Sequence, residues 1–160
     1  MQIRNAYIDD AYIISELEKK CFLIEEVLSL DIIKMLIEDH HEEIYILEDN
    51  DIIIGYLAGL RSNEEDFIDE MFYERNMHNS NGINYFITGL AINPEYQCKN
   101  YSKLLFNEVL EKLKKDDIEK IILTCKEELI NYYLNLGFIK DKISKSNFAN
   151  KKWYQMIYKI

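Results

Sequence analysis

The residues best suited to hold an anion lie between Tyr85 and Leu113. An apolar stretch, Tyr85 to Ile92, runs into Asn93-Pro94-Glu95-Tyr96, and an amphipathic segment begins a few residues later. Pro94, the chain's one proline, lacks an N–H and fixes its own φ, so it ends the strand and turns the chain. Gln97, Cys98, Lys99, Asn100, Tyr101, Ser102 and Lys103 then open a helix. The first N–H groups of a helix have no intrahelical partner, and its dipole is positive there, so this segment suits a phosphate. Asn100 tolerates a left-handed backbone better than most residues with a side chain, and Ser102 is small enough for close approach. A plain strand–loop–helix connection would show the same pattern.

Other reactive side chains point less clearly. His40-His41, followed by Glu42-Glu43, resembles a metal cluster only on paper: adjacent helical residues diverge, so a pair at the helix C-terminus, facing the dipole, is the better reading. No metal is expected. Cys21, Cys98 and Cys125 cannot all pair within one chain and read as free thiols in a reducing compartment, which makes a cytoplasmic location the default.

The 160 residues suit one domain, taken as 1–160. Apolar residues make up 48% and charged residues 30%, a globular mixture. No long uncharged apolar run predicts a membrane span, and the N-terminus has no signal-peptide core. The charge is uneven: residues 1–80 carry a net −14 and residues 81–160 a net +4. The acidic half disfavours nucleic acid, which needs a basic stripe, and favours a cationic partner. A solvated acidic surface with no target gives the same charge.

The elements follow from periodicity and punctuation. Gln2 to Ala6 reads as a strand. Asp9 or Asp10 caps a helix with Ile13, Ile14, Leu17 and Cys21 on one face. Ser29 or Asp31 caps a second, with Ile33, Leu36 and Ile37 inward. Ile44 to Glu48 and Asp51 to Leu60 form a hairpin about Asp49-Asn50, and Gly55 marks a bulge or a close backbone approach. Arg61 to Gly82 is long, acidic and irregular, with a short helix at Asp66 to Glu74; such a loop is usually functional or mobile. The helix after the anion loop turns Tyr101, Leu104, Leu105, Val109 and Leu113 to a sheet. Lys120 to Cys125 is a buried strand, Glu127 begins a helix through Leu136, and Gly137 stops it. Phe138 to Ser144 and Lys152 to Ile160 close the chain as a hairpin. This order is that of a mixed α/β layer.

Gln97, Asn100 and Ser102 after a strand and before a helix resemble the cofactor motif of the GCN5-related N-acetyltransferases, with Asn and Ser standing where that family has glycine or alanine. Asn131-Tyr132-Tyr133-Leu134-Asn135-Leu136-Gly137-Phe138 resembles the family's second signature, and the element order matches throughout. The resemblance implies the family's α/β (α+β) fold, with a mixed sheet of about seven strands splayed between strands 4 and 5 and about four flanking helices. It implies acetyl-coenzyme A as co-substrate. Tyr133 would be the general acid for the leaving thiolate, being a phenol of pKa about 10 that stays protonated at neutral pH. Asn131 would bind the pantetheine arm, and backbone groups at Leu90, Ala91 and Ile92 would pair with it as an added strand.

The segments DEMF, GLAINPEYQ, LTCKEELINYY and SKS…KKWYQM are similar to bacterial members near the arylalkylamine type. Animal arylalkylamine enzymes carry two histidines where this chain has Phe86 and Thr88, so that relay is absent. His78 or Glu70 would then serve as base, or a water would, with an ammonium anchor as the other role open to Glu70. The resemblance places Glu25 and Glu26 at the acceptor site as ammonium contacts. Trp153 and Tyr154 would wall that site or pack in the core. The function implied is acetylation of a small primary amine. Its rivals are a protein or peptide N-acetyltransferase and an acyl-coenzyme A-binding regulator that has lost turnover. A homodimer stays open.

Overall fold

The computed structural model describes residues 1–160. In chain order the elements are β1 (Gln2–Asn5), α1 (Ala11–Cys21), α2 (Leu30–His40), β2 (Ile44–Asp49), β3 (Ile52–Ser62), β4 (Asn84–Ile92), α3 (Tyr101–Lys115), β5 (Lys120–Cys125), α4 (Ile130–Asn135), β6 (Ile139–Ile143) and β7 (Tyr154–Lys159). They build one seven-stranded sheet in the order β1-β2-β3-β4-β5-β7-β6. Every pairing is antiparallel except β4 with β5. No helix is long and apolar enough to cross a membrane.

Strand alternation divides the core. Tyr45 and Leu47 of β2 face α3, packing with Leu105, Phe106, Val109, Leu110 and Leu113. Ile44 and Ile46 face the other way, onto Ile14 and Leu17 of α1 and Ile33, Leu36 and Ile37 of α2. Each such side chain contributes roughly 1.5–3 kcal/mol when fully buried. The sheet is thereby covered on both faces, which is why β4 and β5 read as nearly continuous apolar runs.

The long loop after β3 departs from expectation. It holds only a single 3₁₀ turn, Asp69–Phe72. Phe67, Met71 and Phe72 are buried against Leu60, Phe86 and Ile122 as a third apolar cluster. The loop lacks periodicity because it caps the sheet with three anchors instead of a helical face. Two smaller corrections follow. Ile13 and Leu104, expected inward, are exposed, the inward places going to Ala11 and to Phe106. The hairpin turn is Asn50-Asp51, one residue later than expected, since both take positive φ (49° and 65°), as a tight two-residue turn requires. His40 closes α2, as expected, at 2% exposure and faces His78, ring centroids 5.4 Å apart.

Candidate active site

The site begins where β4 leaves β5. The parallel pairing covers Asn84↔Lys120, Tyr85↔Ile121 and Phe86↔Ile122 and then stops. On the other side β4 stays paired with β3 as far as Ile92, but Thr88 is skipped between Gly59↔Ile87 and Ala58↔Gly89. An extra residue bends a strand and adds twist, which swings the end of β4 away from β5. Gly59 permits this: a β-carbon there would stand 2.4 Å from the Tyr85 ring and 2.6 Å from the Phe86 carbonyl oxygen.

The bend leaves main-chain groups without a strand partner. The Asn93 N–H donates to the Ile54 carbonyl at 2.8 Å. By antiparallel alternation Ala91 and Gly89 also turn their N–H and C=O toward β3, and Leu90 and Ile92 turn theirs into the gap. Ala91 therefore has no main-chain group to offer there, contrary to expectation. The Ile92 carbonyl accepts from Gln97 Nε2 at 3.0 Å and from the Cys21 thiol at 3.3 Å. Gln97 thus ties the loop to the strand end, and Leu90 keeps both groups available.

A cleft of about 600 Å³ occupies the gap. One wall is β4 from Ile87 to Leu90, and the other is β5 from Leu123 to Cys125 with Lys126 just beyond it. Thr124 Oγ1 is buried in the β5 wall without a hydrogen-bond partner, a polar atom placed for a bound molecule. Tyr133 of α4 lines the same cleft. Its ring is held edge-on by Tyr132 at 5.1 Å and Phe138 at 5.6 Å. Burial raises its pKa well above the usual phenol value, with lesser pushes from Tyr132 and Cys125, so the hydroxyl stays protonated.

The anion loop takes the conformation expected at Asn100, φ 60°, and repeats it unexpectedly at Cys98, φ 63°. Left-handed backbone at a residue with a side chain costs on the order of 1 kcal/mol and tends to collect at functional loops. The first intrahelical bond of α3 is Leu104 N–H to the Asn100 carbonyl at 3.0 Å. The N–H groups of Tyr101, Ser102 and Lys103 precede it and point out of the helix start. The Tyr132 hydroxyl donates to Ser102 Oγ at 2.7 Å. That bond joins α4 to α3 and fixes Tyr133 relative to the loop. Lys99 Nζ lies over the Tyr96 ring at 5.6 Å, and Asn131 is exposed on α4.

At the far end of the cleft, Glu26 is buried and receives Lys126 Nζ at 3.0 Å and Lys151 Nζ at 3.1 Å. Glu25 is exposed and also meets Lys151, at 3.0 Å. Burial alone would raise the Glu26 pKa, but the two lysines override it and hold it below the usual range. Through Glu26, Lys126 joins the connection between α1 and α2 to the one between β5 and α4, and Lys151 joins it to the one between β6 and β7, across the cleft mouth. Phe148 and Trp153 line this end, Trp153 Nε1 donating to the Phe148 carbonyl at 2.9 Å, whereas Tyr154 is buried in the sheet.

Two expected bases lie elsewhere. Glu70 is exposed on the long loop and His78 packs against His40, and neither lines the cleft. His78 Nδ1 accepts the Arg61 N–H at 3.1 Å, and Nε2 lies 3.3 Å from Glu42. Burial lowers its pKa, so it is a neutral packing group. No three His, Cys, Asp or Glu residues come together as a metal site.

Sequence reasoning missed Glu18, which lines the cleft at 5% exposure. Its signal was available: an acid on the face set by Ile14, Leu17 and Cys21. Tyr132, Lys126 and Lys151 carried no local signal, because their partners are distant in sequence.

The model of the Acetyltransferase (GNAT) family matches residues 8–138. An uncharacterized N-acetyltransferase of Porphyra purpurea, ycf52, is 33% identical over 61 residues, 38% of this chain and 35% of that protein. The match thus spans about a third of the length of that curated relative. Among solved structures, the GphF GNAT-like decarboxylase in complex with isobutyryl-CoA is similar with TM-score 0.80 and 14% identity, over 99% of both chains. The ribosomal-protein-S18-alanine N-acetyltransferase of Escherichia coli is similar with TM-score 0.72 and 14% identity, over 99% of this chain and 93% of that one.

Proposed function

The chain belongs to the GNAT acetyltransferase family, and on that premise we propose that it transfers an acetyl group from acetyl-coenzyme A to a small primary amine. The observation that carries this reading is the gap opened between β4 and β5 by the Thr88 bulge, with Tyr133 on its wall. In this reading the amides of Tyr101, Ser102 and Lys103 hold the diphosphate, aided by the helix dipole. The Leu90 main chain and Thr124 Oγ1 take the amide-bearing arm as an added strand would. Asn131 holds the arm from α4. Tyr133 donates its proton to the sulfur as the thioester breaks.

A small acceptor is favoured over a peptide by the far end of the cleft. Lys151 bridges the two connections that would have to part for an extended chain, and Phe148 and Trp153 line a short apolar end. The likeness to an arylalkylamine-type enzyme, read from the sequence, agrees with an amine bearing an apolar body.

Calorimetry with acetyl-coenzyme A, followed by thiol release on a panel of small amines, neutral acceptors and peptides, tests this. Small amines are expected to release thiol fastest. Tight binding without release for every acceptor would replace this reading with a regulator that senses the thioester, and preferential release with peptides would replace the acceptor class.

A further inference from the structure

Resting on the acetyl-transfer reading, we propose that Glu18 is the base that takes the proton from the acceptor's ammonium. Glu18 lies on the inner face of α1 and lines the cleft. The Tyr56 hydroxyl donates to Oε1 at 2.8 Å, and the Leu28 N–H donates to Oε2 at 2.8 Å. A carboxylate offers about four lone-pair directions, so each oxygen keeps one for an acceptor. These two donors fix the carboxylate without neutralising it.

The position matches the task. A β-carbon on Gly89 would stand 3.0 Å from Tyr56 Oη, so the Tyr56–Glu18 pair lies against β4 at Gly89. That is one residue past the Thr88 bulge, where the gap opens. Tyr133 lines the same cleft from α4. A nitrogen held there meets a carboxylate from α1 and a phenol from α4.

The other acids are committed or displaced. Glu26 holds Lys126 and Lys151, Glu128 is exposed, and Glu70 and His78 lie outside the cleft. Glu18 is buried with no cationic partner. Burial pushes its pKa up, and the bonds from Leu28 and Tyr56 pull part of it back. A carboxylate moved toward neutrality is a better proton acceptor at neutral pH. The charged and titratable groups around it are Lys20 and Cys21 of α1, Tyr56 of β3, Glu26 after α1, Cys125 of β5, Lys126 and Glu128 beyond β5, and Tyr133 of α4.

The proton count closes. Glu18 takes one proton from the ammonium, and the freed lone pair forms the N–C bond. The C–S bond breaks with its electron pair going to sulfur, and Tyr133 gives sulfur its proton. The acetylated nitrogen sheds its extra proton and restores Tyr133, and Glu18 returns its own to water.

The test is the pH profile of kcat/KM for the wild type, Glu18→Gln and Tyr56→Phe, with acetyl-coenzyme A affinity and Tm measured alongside. Glu18→Gln should lose roughly 10²-fold or more in kcat/KM at pH 7. The deficit should close toward the amine's own pKa, about 10 for an alkylamine. Acetyl-coenzyme A affinity should stay within about threefold, on the scale of effects away from the contact. Tyr56→Phe removes a donor to the charged form, so the acid limb should move to higher pH. A deficit constant across pH, an unchanged kcat/KM in Glu18→Gln, or an unmoved limb in Tyr56→Phe overturns the assignment. Should Glu18→Gln fail to fold, the Tyr56→Phe limb decides. A wild type that releases no thiol with any acceptor sinks the acetyl-transfer reading itself, whereas a wild type that turns over no faster than Glu18→Gln sinks only the base.

Discussion

Replacing Tyr133 with Phe removes one oxygen and leaves the ring. Its edge contacts with Tyr132 at 5.1 Å and Phe138 at 5.6 Å persist, and no protein group hydrogen-bonds the hydroxyl. Stability should therefore change by less than about 1 kcal/mol, the net worth of one hydrogen bond. The effect on turnover is set by the two acids involved. General acid catalysis supplies about 10²–10⁴-fold. A free thiol has a pKa of about 8.5 and a phenol about 10, and burial raises that of Tyr133 further. Full transfer to sulfur is thus uphill until the acetylated nitrogen returns a proton to Tyr133, so in the transition state the stabilisation comes mainly from a strong hydrogen bond to the charge developing on sulfur. The low end applies: about 10²-fold in kcat, or roughly 2.7 kcal/mol at 1.36 kcal/mol per decade. Thiol release under saturating acetyl-coenzyme A measures kcat, and calorimetry measures affinity. An acyl donor with a more acidic leaving thiol should recover most of the loss, because its thiolate needs less help. An unchanged kcat, or a loss carried equally by cofactor affinity, would refute the reasoning.

Asn100→Gly should leave acetyl-coenzyme A affinity and stability almost unchanged, within about 1 kcal/mol, because φ is already 60°. Asn100→Val should cost about 1–2 kcal/mol in denaturant unfolding and weaken the cofactor in calorimetry, since a branched side chain resists that conformation. Burial lowers the pKa of both His40 and His78, so their neutral rings support folding above the unfolded value of about 6.5. That support is lost as pH falls through the lower folded values; Tm should drop on acidification, and His78→Asn, which keeps an acceptor for the Arg61 N–H, should flatten the drop. Glu26 is depressed instead, so its contribution is present above an unfolded pKa of about 4.3 and lost below it. Lys151→Ala should shrink that loss in acid unfolding curves and raise peptide acetylation relative to small amines in a competition assay.

Local chemistry carried most of the fold into the sequence. The α3 face is legible because Leu105, Val109 and Leu113 recur at helical spacing. Asn100 is legible because its short polar side chain tolerates positive φ, and Gly137, at φ 103°, because little else does. The long loop is not legible: Phe67, Met71 and Phe72 have no period, and only the finished sheet shows that they fill one cluster. Gln97's place in the motif suggests a cofactor contact, yet its side chain grips the Ile92 carbonyl. That bond joins two segments whose geometry exists only after the bulge has formed.

The two ends of the cleft differ for the same reason. In the proposed function the diphosphate end relies on main-chain groups in the first turn of α3, where any side chain compatible with the backbone conformation would serve, and Thr124 and Asn131 add side-chain contacts farther along the arm. Asn100 already holds the left-handed backbone that a glycine would offer there, φ 60°. The end proposed for the acceptor is made of side chains: Glu26 with Lys126 and Lys151, which are 100 and 125 residues away, and Glu18 with Tyr56, 38 residues away. Each pair depends on both partners' identity, so a single substitution changes the charge at that end of the cleft. Changes at the far end should therefore alter acceptor KM and leave cofactor affinity alone, and changes to the α3 start should do the reverse. Tyr133 stands at the boundary, fixed to the cofactor end through the Tyr132–Ser102 bond. Breaking that bond with Tyr132→Phe should lower turnover by letting Tyr133 shift, although Tyr132 touches neither reacting atom.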